Sequence, residues 1–122
     1  MPFYNYDQNN SGGQWDFDNR LTHVVIIEAD DAEAADNRAE SFGIYFNGVS
    51  NCRDCSCCGD RWYHAFGEGD EEPMCYGIPV SEVPEGITGW KPFRWRKDGP
   101  EIFVYRAHST IPEPYWIQEE TQ

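Results

Sequence analysis

The densest concentration of reactive side chains is Cys52-Arg53-Asp54-Cys55-Ser56-Cys57-Cys58-Gly59, with Cys75 further on. Cys55 to Gly59 contains the C-x-x-C-G spacing of a zinc knuckle. Two thiolates two residues apart can share one ion, and the glycine lets the backbone fold beneath it. Zinc takes four ligands in a tetrahedron, so Cys55 and Cys58 form a first pair. Cys52, Cys57, Cys75 or His64 are the candidates for the remainder. Cys52, Cys55 and Cys58 also stand at an iron–sulfur spacing, but the usual fourth cysteine and its proline are absent. Free thiols packed as small hydrophobes are the plainer alternative. Nucleophilic catalysis needs a base held by a third group; Cys57 and His64 are close in sequence, and nothing in the sequence marks that group. His23 lies on the best strand and reads as a satisfied sheet residue rather than a catalyst, and His108, near a chain turn, as an exposed one.

A second kind of chemistry is written in the charges. The chain carries 9 basic and 22 acidic residues, a net charge of −13. Lys91, Arg94, Arg96 and Lys97 fall in one short segment interleaved with Trp90, Phe93 and Trp95. On a strand Arg94 and Arg96 share a face, which could hold a phosphate-bearing small molecule with Trp95 stacking on its base. The plainer reading of that segment is an edge strand protected by charge. Glu68, Asp70, Glu71 and Glu72 form an acidic loop suited to a basic protein partner. Phosphate backbones attract basic surfaces, so direct nucleic-acid binding is not expected.

These residues need elements to position them. A chain of 122 residues fits a single domain, 1–122, with 119–122 a frayed tail. Its aromatic content of 16% indicates a core built on large rings. Phe3 to Gln8 alternates as a short first strand, and Leu21 to Glu28 is the best and most central strand. Asp30 or Asp31 caps a helix over 32–42, with Ala32, Ala35, Ala39 and Phe42 on one face and Gly43 at its end. Ile44-Tyr45-Phe46 reads as a strand completing a β-α-β unit. Arg61–Phe66 and Met74–Val80 read as extended, and Phe93–Lys97 with Ile102–Arg106 as a hairpin around Asp98-Gly99. The expected fold class is α+β: a mainly antiparallel or mixed sheet of about five to six strands with one principal helix.

The opening Phe3-Tyr4-Asn5-Tyr6-Asp7-Gln8-Asn9-Asn10-Ser11-Gly12-Gly13 and the turn Asp54-Cys55-Ser56-Cys57-Cys58-Gly59-Asp60-Arg61-Trp62 resemble a family of small uncharacterised acidic proteins of tailed bacteriophages. The stretch ending in Gly43-Ile44-Tyr45-Phe46-Asn47-Gly48 is similar too, so the resemblance covers roughly the first half of the chain. It implies a phage origin, expression in a bacterial cytoplasm and an accessory role. It carries no activity and assigns no functional residue.

The longest apolar run, Val24 to Ile27, is far short of the roughly 20 residues that span a bilayer. The first residues lack the basic and apolar regions of a signal peptide. A soluble cytoplasmic protein is the expectation, with thiols or metal ligands rather than a disulfide framework. The leading functional expectation is a non-enzymatic protein that binds a host or phage protein, countering host defence or mimicking DNA charge. The alternatives are a sponge for a nucleotide-type signal on the Arg94, Arg96 face, and a minor virion or assembly component. Zinc is the one cofactor suggested. The metal reading predicts up to about one zinc per chain, lost on changing Cys55 and Cys58 to Ser, because a structural zinc adds on the order of 10 kcal/mol to folding. Elemental analysis that finds no metal, with stability unchanged by chelator, would remove it.

Overall fold

The computed structural model describes residues 1–9, 18–57, 59–75, 77–82 and 100–116. Among these residues six strands and one α-helix follow in the order β1 (Phe3–Asp7), β2 (Val24–Glu28), α1 (Ala32–Ser41), β3 (Met74–Cys75), β4 (Ile78–Pro79), β5 (Ile102–Tyr105) and β6 (Glu113–Tyr115). Four of the strands form a mixed sheet in the order β1-β2-β5-β6, and β3 and β4 form a separate small hairpin. The fold is therefore α+β, with a smaller main sheet than five to six strands.

The position of β2 follows from its composition. Val24, Val25, Ile26 and Ile27 are all buried, the continuous apolar run of a strand covered on both faces. It pairs antiparallel with β1, Tyr4 opposite Ile27 and Tyr6 opposite Val25. On its other edge it pairs parallel with β5, Val24 beside Ile102 and Ile26 beside Val104. Alternation divides the side chains between two clusters. Val25, Ile27, Phe103 and Tyr105 meet the helix together with Tyr4, Tyr6 and Trp62. Val24, Ile26, Ile102 and Val104 pack on the other side with Phe3, Cys75 and Val80.

The helix begins where Asp31 accepts a hydrogen bond from the Ala34 amide at 2.8 Å, satisfying one of the open N-terminal donors. Ala35 and Ala39 are fully buried, and their small side chains allow close approach to the sheet. Phe42 closes the helix as its C-cap and stacks on Tyr105 with ring centroids 3.8 Å apart. Gly43 follows at φ +110°, the left-handed conformation that ends a helix and favours glycine.

Two expectations are revised. Ile44 to Phe46 forms no strand: Ile44 and Phe46 are instead buried against the helix-side cluster, and the parallel partner of β2 is β5. Arg61 to Phe66 is likewise irregular. The hairpin arm expected over 93–97 lies outside the described residues. Its intended partner, β5, has β2 on one edge and β6 on the other. The β6 strand was hidden by its proline: Pro114 lies opposite Phe103, on a sheet-edge strand where a missing N–H is tolerated.

His23 stands beside this sheet, 4% exposed, with its carbonyl accepting from the Gln8 amide. Burial pushes its imidazole down to about 4 from the usual 6.5. Its neutral form is therefore native, and stability is fully present above pH 6.5. That stability falls as the pH drops through the window from 6.5 to about 4, by an amount on the order of 3 kcal/mol. Urea unfolding across this range should show the decline, and His23→Asn should flatten it; an unchanged slope in the variant would contradict it.

Candidate functional site

The cysteine turn is held by carboxylates on either side of it. Asp54, whose side chain is fully buried, accepts from the Tyr45 hydroxyl at 2.6 Å and from the Arg61 amide at 2.8 Å. The Arg61 guanidinium reaches Tyr45 Oη at 3.1 Å and the Gln8 side-chain oxygen at 3.1 Å. Gln8 in turn donates to the Thr22 carbonyl. Asp60 accepts from the Val49 amide. Gly48 has no room for a side chain: a Cβ there would run into the Asp54 carboxylate and lie 2.8 Å from the Tyr45 ring. The two sequence motifs thus meet, with Gln8 from the first bonded to Arg61 from the second and the second anchored in the core by Trp62, 1% exposed.

Within that frame Cys55 and Cys57 are joined as a disulfide, their Cα atoms 5.4 Å apart, inside the range such a bond requires. The tight turn closed by the Gly59 amide on the Cys55 carbonyl holds both residues. This differs from the expected free thiols. Cys52 is exposed and Cys75 is buried. Cys75 sits in the cluster on the far side of the sheet, where burial, with Asp7 adding to it, pushes its thiol up to about 12. Cys58 lies outside the described residues. Among the described residues no three His, Cys, Asp or Glu side chains assemble into a metal-holding group.

His64 is engaged elsewhere. Its Nδ1 lies 2.8 Å from Asp36 Oδ2, and its ring stacks on Phe46 at 4.0 Å. Asp36, a largely covered residue of α1, also accepts from the Tyr6 hydroxyl at 2.7 Å and from the Ala65 amide at 2.9 Å. Burial, followed by the hydrogen bond to this carboxylate, holds the Tyr6 phenol well above its usual range. Asp36 is the orienting group that the sequence did not mark for His64. No hydroxyl or thiol among the described residues is hydrogen-bonded to the imidazole, so the pair serves here to fix the backbone of 64–65.

That fixed backbone leads into the acidic loop. Glu68, Asp70, Glu71 and Glu72 are all exposed. Beside them Phe66 is 89% exposed and Tyr63 and Met1 more than half exposed. A cleft of about 250 Å³ opens between β1 and this segment, lined by Phe3, Tyr4, Asn5, Ala65, Phe66 and Asp70. A second of about 500 Å³ lies across Gly69–Asp70, against Met1, Pro2, Glu68 and Glu71. The loop is pinned at one end, where Phe3 and Asp70 exchange both backbone hydrogen bonds at 2.8 and 2.9 Å. Of the four carboxylates expected to bind a partner, Glu68, Asp70 and Glu71 line the second cleft and Glu72 is exposed, and the aromatic component beside them is what the sequence reading missed. Its signal was the apolar Phe66 standing at the edge of an acidic, glycine-punctuated run. Arg94, Trp95 and Arg96 lie outside the described residues.

The chain belongs to a family described as a domain of unknown function (DUF7296), whose model matches residues 1–118. No curated protein and no solved structure matches it. No helix among the described residues is long and apolar enough to cross a membrane.

The buried Asp54 carboxylate makes a direct prediction. Asp54→Asn removes the charge while leaving the Arg61 guanidinium in place, 9% exposed. Weakening two hydrogen bonds to a buried charged acceptor is costly, and the variant should lose about 2–4 kcal/mol of unfolding free energy in urea. A loss below about 0.5 kcal/mol would show that the carboxylate does not hold the turn.

Proposed function

We propose that this DUF7296 protein binds a basic protein partner through the acidic and aromatic surface around Phe66. The observation that carries the reading is a large apolar side chain, 89% exposed, on a segment whose backbone is fixed by Asp36. Exposed apolar groups rimmed by polar ones mark interaction sites, and an aromatic that follows a fixed stretch of backbone has less chain entropy to lose on binding. Buried aromatic anchors dominate binding energy where they occur. The neighbouring carboxylates supply attraction and orientation at longer range, within a net charge of −13. A phage accessory protein acting on a host or phage protein in the bacterial cytoplasm fits this chemistry. Countering host defence is the role that an acidic, compact binding protein of this kind would serve.

The test is affinity capture of a partner from host lysate followed by binding measurements on variants. Phe66→Ala should weaken the complex roughly 10- to 100-fold, mainly by faster dissociation. Neutralising Glu68, Asp70, Glu71 and Glu72 to their amides should slow association and flatten its salt dependence, since exposed charges are screened beyond about 8–10 Å. Both variants should unfold like the parent protein. A partner captured equally well by both would sink the proposal. Loss of binding only when Arg94 and Arg96 are changed to Ala would favour a sequestered anionic ligand instead.

A further inference from the structure

The cleft beside Phe66 has a cause in the backbone that specifies how a partner would enter it. In an antiparallel ladder successive residues turn their N–H and C=O groups to opposite edges of the strand. Along β1 the Gln8 amide donates to the His23 carbonyl and the Ala29 amide to the Pro2 carbonyl. With the register of Tyr4 on Ile27 and Tyr6 on Val25, the even-numbered residues face β2. Phe3 and Asn5 face outward, away from the sheet. Phe3 spends its groups on Asp70.

Had that pairing continued in register, Asn5 would lie opposite Glu68. It does not, because Gly67 and Gly69 hold φ at +79° and +73°, conformations incompatible with a continued strand. Gly69 must also be glycine for contact reasons: a Cβ there would stand 2.8 Å from the Phe3 carbonyl oxygen and 2.9 Å from Pro2 Cβ. The chain therefore swings away from β1 one residue before it would have paired with Asn5. Asn5 is left facing the cleft, and no other described residue pairs with its backbone. Its side-chain nitrogen donates to the Met74 carbonyl, while its side-chain oxygen is buried without a donor among the described residues.

Resting on the binding role above, we infer that a short extended segment of the basic partner enters this cleft and pairs with the backbone of Asn5, taking the place that Glu68 leaves. Strand addition to a sheet edge draws its affinity from main-chain hydrogen bonds and its selectivity from the side chains beside them. Here the neighbours are Phe66 and Asp70 in the cleft itself, with Glu68 and Glu71 lining the second cleft that shares Gly69 and Asp70 with it. Their combined preference is for a segment alternating apolar and basic residues. The opening is bounded at one end by the Phe3–Asp70 pair and the pairing involves Asn5 alone, so the added strand is short.

The probe is a capped six-residue peptide of alternating valine and arginine, titrated into isotope-labelled protein at physiological salt. Bound peptide should slow hydrogen exchange of the Asn5 amide at least about tenfold. Methylating the peptide's two central backbone nitrogens, which removes their donors, should weaken binding about 5- to 20-fold. Three results would overturn the inference: no binding of the unmethylated peptide, equal affinity of the two peptides, or unchanged exchange at Asn5. If the captured partner still depends on Phe66 while any of these occurs, the binding role stands and only the strand-pairing mode is lost. If the captured partner is indifferent to Phe66, the role itself has failed.

Discussion

The carboxylate of Asp36 is the contact on which the display of this surface depends. It joins three parts of the chain that share no secondary structure: the helix that carries it, β1 through the Tyr6 hydroxyl, and the irregular 64–65 segment through His64 and the Ala65 amide. Irregular segments are ordinarily the more mobile parts of a fold. Here one carboxylate with three hydrogen bonds fastens the segment at the point where it passes the sheet edge. Phe66 follows one residue later and has no core to enter. The Phe3–Asp70 pair then fastens the far end of the loop. Between the two anchors the chain is free to bow outward, and the glycines at 67 and 69 make it do so.

The cysteine turn is a second knot of the same physical kind. Asp54 and Arg61 are both buried, and each is bonded to groups from a different part of the chain. Such an arrangement costs desolvation and returns it only with good geometry. The return here is placement: Gln8 and Tyr45 are tied to Arg61, and Trp62 enters the helix-side core immediately after. The density of cysteine in this turn draws attention to metal chemistry. The side chains that hold the turn are Asp54, Asp60 and Arg61, with Gly48 leaving the room that the Asp54 carboxylate fills.

Much of the scaffold was legible because it obeys strong local rules. The apolar run of β2 identifies a strand buried on both faces, and Asp31, Ala35, Ala39 and Gly43 spell out a capped helix lying closely on a sheet. The loop 68–72 is legible as exposed because nothing apolar falls within it. Elements that depend on distant partners were not legible. Ile44 to Phe46 has strand-like composition, yet it follows the helix at a point where both edges of β2 are already taken, so packing overrides propensity. β6 carries a proline and only three residues, and it exists because β5 offers an open edge. Asp36 looks like any solvent-facing helical acid; its role depends on His64, 28 residues away in sequence, and no spacing rule connects the two. Gly67 and Gly69 are readable as turn residues, but the Asn5 backbone they leave without a partner among the described residues appears only once Phe3 is known to pair with Asp70.

The central claim is that Phe66 sits at the heart of a protein-binding surface, and site-specific photo-crosslinking tests it most directly. A benzophenone amino acid placed at Phe66 in the full chain should, on irradiation inside the host cell, give one dominant covalent adduct with a basic protein. The same group at Ile111, which is 76% exposed but away from the carboxylate cluster, should give none. Equal adducts from both positions, or an adduct only from Ile111, would contradict the account.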